Sequence, residues 1–201
     1  MLHQTLHFPH ISTGDMLREH VQNGDPIGIA VRDLLKAGQL VPDKLVNQMV
    51  TERIERADCE TGFILDGYPR TIHQAELLFA MLDAHRVTPV VIHLRVDPEK
   101  LVKRLTNRRQ CPQCGTLYNL LLKKPILPGR CDIEGARLIA REDDREEVIR
   151  QRFEAYQRQT SPVLDYLARL GRFYEIEASD GTPEAIFRQV LSALSDPGAC
   201  P

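Results

Sequence analysis

Gly62-Phe63-Ile64-Leu65-Asp66-Gly67-Tyr68-Pro69-Arg70 is the stretch on which the reading of this chain turns. Three bulky apolar residues between turn formers predict a short parallel strand covered on both faces, with Asp66 at its carboxyl end. In an open α/β sheet ligands sit beyond the carboxyl ends of the strands, so an acid there can orient a metal-bound water. Gly67 lets a ligand approach the backbone, Pro69 stiffens the turn, and Arg70 offers a planar fork of donors suited to phosphate. Taken alone, Asp66 reads more readily as a helix cap and Arg70 as a solvated loop residue.

The surroundings narrow the choice. The chain has 201 residues, 42% hydrophobic and 27% charged, with no tryptophan, which suits one compact domain that needs no disulfides. A formal net charge of −2 argues against nucleic acid as a bulk partner, so any phosphate site is local. No run reaches the length of a membrane span and residues 1–9 lack the apolar core of a signal peptide, so the expectation is a cytoplasmic protein with no membrane partner. In that compartment five cysteines point to metal or free thiols.

Upstream of the central stretch, Leu2 and Leu6 hint at the tail of a helix, and Phe8-Pro9-His10-Ile11 is extended. Ser12-Thr13-Gly14-Asp15 supplies capping side chains for a helix starting at Met16. A second helix spans 26–38, closed by Gly38, and a third runs from about 43 to 57. Downstream, a striped helix over 71–86 precedes the strongest strand of the chain, Pro89 to Val96. Asp97-Pro98-Glu99 starts a helix that runs to about Arg109. Residues 110–140 break the alternation with three cysteines and several prolines and glycines, which marks a compact insert. A long helix over 145–169 with a bend at Pro162, a strand at 173–177 and a closing helix after Thr182-Pro183 complete the chain. Alternating strands and helices predict an α/β fold with a doubly wound parallel sheet and right-handed crossovers.

The string Asp66-Gly67-Tyr68-Pro69-Arg70-Thr71, with Gln74 four residues after the arginine, resembles the signature of nucleoside monophosphate kinases. From about Pro9 to Leu194 the chain is similar to adenylate kinases of the bacterial long-lid kind. The resemblance implies one kinase domain over residues 1–201 with a helical AMP flap at 12–41 and a lid insert at 108–145. It also implies reversible transfer of a phosphoryl group from ATP to AMP, giving two ADP, by a monomer that uses magnesium (Mg2+) with ATP. Another nucleoside monophosphate kinase is the runner-up, although Thr13, where pyrimidine-directed relatives carry alanine, favours adenine. A noncatalytic nucleotide-binding module is the reading from a different class.

By the same resemblance Thr13 and Arg18 contact AMP, Gln39, Leu40 and Val41 line its base, and Gly67, Tyr68, Pro69 and Arg70 hold the α-phosphate region. Gln74 hydrogen-bonds adenine, in keeping with the ability of an amide to read a paired donor and acceptor, which an arginine cannot do. Arg104, Arg108, Arg141 and Arg152 match arginines around the polyphosphates, the last two also facing AMP. Phosphoryl transfer asks mainly for positioning and positive charge, so converging arginines suffice without a covalent nucleophile, with Asp66 orienting the magnesium waters. Leu117 and Tyr118 match lid positions that touch the ATP adenine, and Gly181 and Thr182 match a contact on its other side. Taken singly, Arg108 reads as a solvated helix end and Arg152 as a partner of Glu146 or Glu154.

Cys111-Pro112-Gln113-Cys114 followed by Cys131-Asp132-Ile133-Glu134 has the spacing of a tetrahedral metal site. A structural zinc (Zn2+) is expected on Cys111, Cys114, Cys131 and Glu134, with Asp132 as a substitute for the last; the other reading is three reduced thiols in a metal-free lid. Cys59 and Cys200 read as bystanders.

The family resemblance also implies an opening strand and a Gly-rich loop ending in Gly-Lys-Gly-Thr, which cradles the donor phosphates. No such motif occurs in residues 1–201. That strand belongs between those at 63–66 and 90–96, and its loss would leave two strand edges facing a gap. Two explanations stand at this point: a sequence begun at an internal methionine, or a shortened form without catalysis.

Overall fold

The computed structural model describes residues 1–170 and 172–196, so Cys200 lies outside the described residues. A short helix α1 (Leu2–Leu6) leads into strand β1 (His10–Ser12). Ser12 caps α2 (Thr13–Asn23), its hydroxyl accepting the Asp15 N–H at 3.3 Å, and Gly24 ends that helix at φ 66°, a left-handed turn that favours glycine. Asp25 caps α3 (Pro26–Lys36) through the Gly28 N–H at 2.8 Å. With α4 (Asp43–Ile54) these helices make up the segment expected from the sequence as the flap and its root.

The central stretch forms β2 (Ile64–Asp66), followed by α5 (Ile72–Ala84) with Thr71 as its cap. Strand β3 (Val90–Arg95) is followed by α6 (Pro98–Thr106), capped by Asp97. The insert carries its own antiparallel pair, β4 (Arg108–Gln110) with β5 (Leu117–Asn119). The chain then runs through α7 (Glu146–Ala155), α8 (Ser161–Ala168), β6 (Arg172–Glu177) and α9 (Pro183–Leu194).

Three features depart from the sequence reading. Helix α6 stops at Thr106 because Arg108 and Arg109 pair with Asn119 and Tyr118 across the lid ladder. The expected 145–169 helix is α7 and α8 joined by a π-helical turn, Tyr156–Thr160. Pro162 has no N–H to give the preceding turn, and widening that turn accommodates the lost bond.

The third departure concerns the sheet. The described strands form two separate parallel pairs, β1 with β2 and β3 with β6, with Ile11 opposite Leu65 and His93 opposite Glu175. Phe63, Ile64 and Leu65, expected to be fully buried, are half-buried, and Leu94 is 47% exposed. A parallel strand is fully covered only with neighbours at both edges and layers on both faces, and each of β2 and β3 has one paired edge.

The apolar core is correspondingly divided. Leu17, Val31, Val46, Val50, Leu78 and Leu82 pack the flap and α4 against α5 and the Tyr68 ring. Ala75, Val163 and Leu167 join α5 to α8 beneath Val91 and Phe173. Cys111, Tyr118, Cys131 and Leu138 make a small separate core in the lid.

Candidate active site

The loop after β2 is shaped by Gly67, whose φ of 74° admits glycine readily and whose missing Cβ would stand 2.8 Å from Arg70 Nη2 and 3.3 Å from Thr13 Oγ1. Arg70 folds back over it, Nε donating to the Gly67 carbonyl at 2.7 Å. Thr13 donates to the same carbonyl from the flap side at 3.1 Å and is itself buried. The Tyr68–Pro69 peptide is cis. Tyr68 is buried beneath the loop, its hydroxyl donating to Asn47 Oδ1 at 2.7 Å, and burial and the nearby Asp43 charge push its pKa up to about 12. From the far side, Thr160 of the π turn donates to the Arg70 carbonyl at 3.1 Å.

Around this loop the arginines converge. Burial, with the like charge of Arg152 next, pushes the Arg70 guanidinium below its ordinary pKa. Burial and the charges of Arg18 and Arg108 do the same at Arg141, and burial dominates at Arg152. Two acids bridge the set: Asp143 lies 3.5 Å from Arg18 and 3.3 Å from Arg152, while Asp15 lies 2.6 Å from Arg18 and 3.7 Å from Arg141. Burial raises the Asp15 carboxyl, but the Arg18 hydrogen bond and the Arg18 and Arg141 charges outweigh it and hold it below its usual value. Arg108 is gripped by the buried Asp144, and Arg141 Nε donates to Gln110 Oε1 at 2.7 Å. Arg70 alone of these five forms no ion pair with a carboxylate among the described residues. A cluster of partly desolvated like charges is a strong attractor for a polyanion.

Helix α2 and the β4–β5 segment meet across a cleft of about 410 Å³ lined by Asp15, Arg18, Gln110, Leu117 and Arg141. A second cleft, about 450 Å³, lies between Gln39 and Leu40 at the flap end and Gln151, Ala155 and Gln159 on the α7 side. Gly38 makes that approach possible, since a Cβ there would stand 2.9 Å from the Val148 carbonyl. Val41 is buried in the flap core and does not line that cleft.

Of the other expected site residues, Gln74 and Asp66 border this loop, and the rest stand farther along the chain. Asp66 is open to solvent, its carboxylate 3.1 Å from His10 Nε2. Arg104 donates to the Ala178 carbonyl at 3.2 Å, next to the turn that contains Gly181 and Thr182, and Thr182 caps α9. Gln74 is 3% exposed, with its amide already bonded to the Arg70 N–H and to Asp43. Tyr118 is buried among the cysteines, and only Leu117 of that pair is exposed. The sequence reading missed the roles of Asp15, named there only among capping side chains, and of Asp43, Asp143 and Asp144 as partners of site residues; the run Glu142-Asp143-Asp144 directly after Arg141 was the available signal for two of them.

In the lid, the Cys111, Cys114 and Cys131 sulfurs lie within 4.8 Å of one another, and all are free thiols. The Tyr118 hydroxyl leads the groups that lower the Cys131 thiol to about 6, with the Glu134 and Ile133 N–H groups also contributing. Three sulfurs at this spacing, one of them stabilised as thiolate, suit three corners of a tetrahedral ion. Neither Glu134 nor Asp132 joins the sulfurs within that distance, and Asp132 Oδ1 instead accepts the Ile126 N–H at 2.8 Å. Cys59 is remote from the cluster, buried against Arg53.

A glycine-turned loop at a strand end, with Arg18, Arg108, Arg141 and Arg152 gathered around Arg70, fits a phosphotransferase of the nucleoside monophosphate kinase class. A family model described as adenylate kinase matches residues 1–172. The chain is 42% identical over 194 residues to an adenylate kinase of Thermosipho melanesiensis, covering 96% of this chain and 90% of that protein. It is 49% identical over 159 residues to one of Pseudothermotoga lettingae, covering 79% and 73%, and 42% identical over 189 residues to one of Archaeoglobus fulgidus, covering 92% and 86%. The chain belongs to the adenylate kinase family.

Proposed function

We propose that this protein catalyses ATP + AMP = 2 ADP, acting as a cytoplasmic monomer. An AMP α-phosphate oxygen attacks the γ-phosphorus of ATP as the bond from that phosphorus to the β–γ bridging oxygen breaks. The observation that carries the reading is Arg70: a partly desolvated guanidinium, fixed by the Gly67 carbonyl and repelled by the Arg152 charge, that forms no ion pair with a carboxylate among the described residues. It is a ready receptor for the AMP phosphate, with Thr13 and Arg18 closing from the flap and Gln74 reading adenine. Arg108, Arg141 and Arg152 then spread positive charge over the transferring group, and Arg104, Leu117, Tyr118, Gly181 and Thr182 belong to the ATP side. Magnesium carried on the ATP phosphates neutralises their charge, and Asp66 is the residue that would hold its waters. Cys111, Cys114 and Cys131 would hold a structural zinc that stiffens the lid, with Glu134, which stands outside the sulfur cluster, as the expected fourth ligand; no described helix is long and apolar enough to cross a membrane.

The half-buried edges of β2 and β3 favour a second reading for residues 1–201 taken alone, nucleotide binding without turnover. A strand between them would join the two pairs into one sheet, and a Gly-rich loop following it would hold the donor phosphates. One preorganised transition-state donor is worth about 2.7–4 kcal/mol, or roughly 10² to 10³ in rate. Residues 1–201 are therefore expected to turn over near background, and a chain extended upstream by a strand and Gly-rich loop to be active on AMP above other monophosphates. Robust ADP formation by residues 1–201, with host kinase excluded by a parallel Arg70→Ala preparation, would show the added segment to be dispensable. Equal turnover across the monophosphate panel would overturn the assignment to AMP.

A further inference from the structure

Gln74 is held at both ends of its amide by partners that cannot exchange roles. The Arg70 backbone N–H donates to Oε1 at 2.8 Å, and Nε2 donates to Asp43 Oδ1 at 2.8 Å. A backbone N–H can only donate and a carboxylate only accepts, so each contact independently dictates the same orientation of the amide. The other Asp43 oxygen accepts the Thr71 hydroxyl at 2.7 Å, and Thr71 in turn accepts the Gln74 N–H at 3.1 Å as the cap of α5. Asp43, the first residue of α4, is thereby joined to the start of α5 by two hydrogen bonds, and neither of its carboxylate oxygens is free to turn.

The amide retains one N–H and one oxygen lone pair. That is a donor beside an acceptor, in a fixed order. Adenine presents the complement, an exocyclic amino donor next to a ring-nitrogen acceptor. A 6-oxopurine puts an acceptor where adenine has the amino group, and on its N1 edge it reverses the order. A free glutamine would meet the reversed edge by rotating its amide half a turn. Here rotation would set NH2 against the Arg70 N–H and oxygen against the Asp43 carboxylate. With Gln74 only 3% exposed, water cannot make good the lost bonds.

We infer that Asp43 is a specificity-determining positioning residue, which locks the Gln74 amide so that the acceptor site takes a 6-aminopurine nucleotide and rejects a 6-oxopurine one. The inference rests on Gln74 reading the base. Asp43 touches no substrate and acts through the amide it orients. Its counterpart on the loop side, the Arg70 N–H, cannot be removed by a side-chain substitution, which leaves Asp43 as the half of the lock open to experiment.

The test is calorimetric titration of residues 1–201 with AMP and with inosine monophosphate, alongside the melting temperature. Asp43→Ala removes the acceptor and is expected to lower the AMP-to-inosine-monophosphate affinity ratio about five- to tenfold, the scale of one hydrogen bond. Asp43→Asn still offers an oxygen to Nε2 and is expected to keep most of the ratio. A merely structural role would weaken both ligands in parallel and leave the ratio alone. Asp43→Val, which fills the space with an apolar side chain and offers no acceptor, replaces the alanine variant if that melts below the assay temperature. The inference is overturned by an unchanged ratio in Asp43→Ala or Asp43→Val while Gln74→Ala weakens AMP. Unaltered AMP affinity in Gln74→Ala, or no preference in the unsubstituted chain, removes the base reading beneath it and overturns it too.

Discussion

Arg108 and Asp144 form a two-bonded pair across the root of the lid: Nε donates to one carboxylate oxygen at 2.8 Å and Nη2 to the other, and the Asp144 side chain is only 1% exposed. Removing one member of a buried pair leaves the other with its desolvation uncompensated, at about 3 kcal/mol. Asp144→Ala is expected to lose roughly that much stability in chemical denaturation. In a catalytically competent chain it should also lower kcat, because Arg108 loses the support that aims it. A variant with unchanged denaturation midpoint would show the pair to be incidental.

The lid cysteines lead to a metal prediction. One zinc per chain is expected in protein purified without chelator, and chelation should lower the melting temperature, since an ion bound only by the folded lid stabilises it. Cys111→Ser and Cys131→Ser are expected to reduce stability far more than turnover. Elemental analysis without zinc would rule the site out. Glu134→Ala separates the fourth-ligand options: unchanged metal content would move that role to Asp132 or to water.

At Arg70, substitution by alanine should weaken AMP binding and turnover together, because the same two-pronged phosphate contact serves ground and transition states. The measurement is kcat and KM for AMP in a chain carrying an upstream Gly-rich loop. A fall in kcat with KM for AMP intact would reassign Arg70 to the transition state alone.

Tyr68 gives a pH signature. Its phenol has an ordinary value of 10.0 and is pushed up to about 12 in the fold by burial and by the Asp43 charge. A raised folded-state value contributes stability that is fully present below the unfolded pKa and is lost as pH rises through the folded one. Stability should therefore decline between about pH 10 and pH 12 through this group. Tyr68→Phe strands Asn47 Oδ1, beside an Asn47 Nδ2 that is already buried without a hydrogen-bond partner among the described residues, and is expected to cost about 1–3 kcal/mol at neutral pH. The gap between the two proteins should narrow with alkali; a constant gap from pH 8 to pH 12 would contradict this role for the phenol.

The sequence by itself determined the elements and the chemistry that needs only local spacing. Caps at Ser12, Asp97 and Thr182 could be read because a capping oxygen reaches an N–H two or three residues away, whereas those at Asp25 and Thr71 emerged only in the structure. The cysteine pair at 111 and 114 and the turn at Gly67 were legible for the same reason. Only the tertiary structure decided which charges face one another. Asp143 meets Arg18 across the flap, and Asp43 meets Gln74 and Thr71 across the α4–α5 contact, partners 31 and 28 residues apart in the latter case. It also decided that Tyr118 sits among the lid sulfurs and that the strands around Leu65 and Ile92 belong to separate pairs. Apolar composition states that a strand is to be buried. What covers it depends on which elements fold against it, and that is a property of the chain in three dimensions.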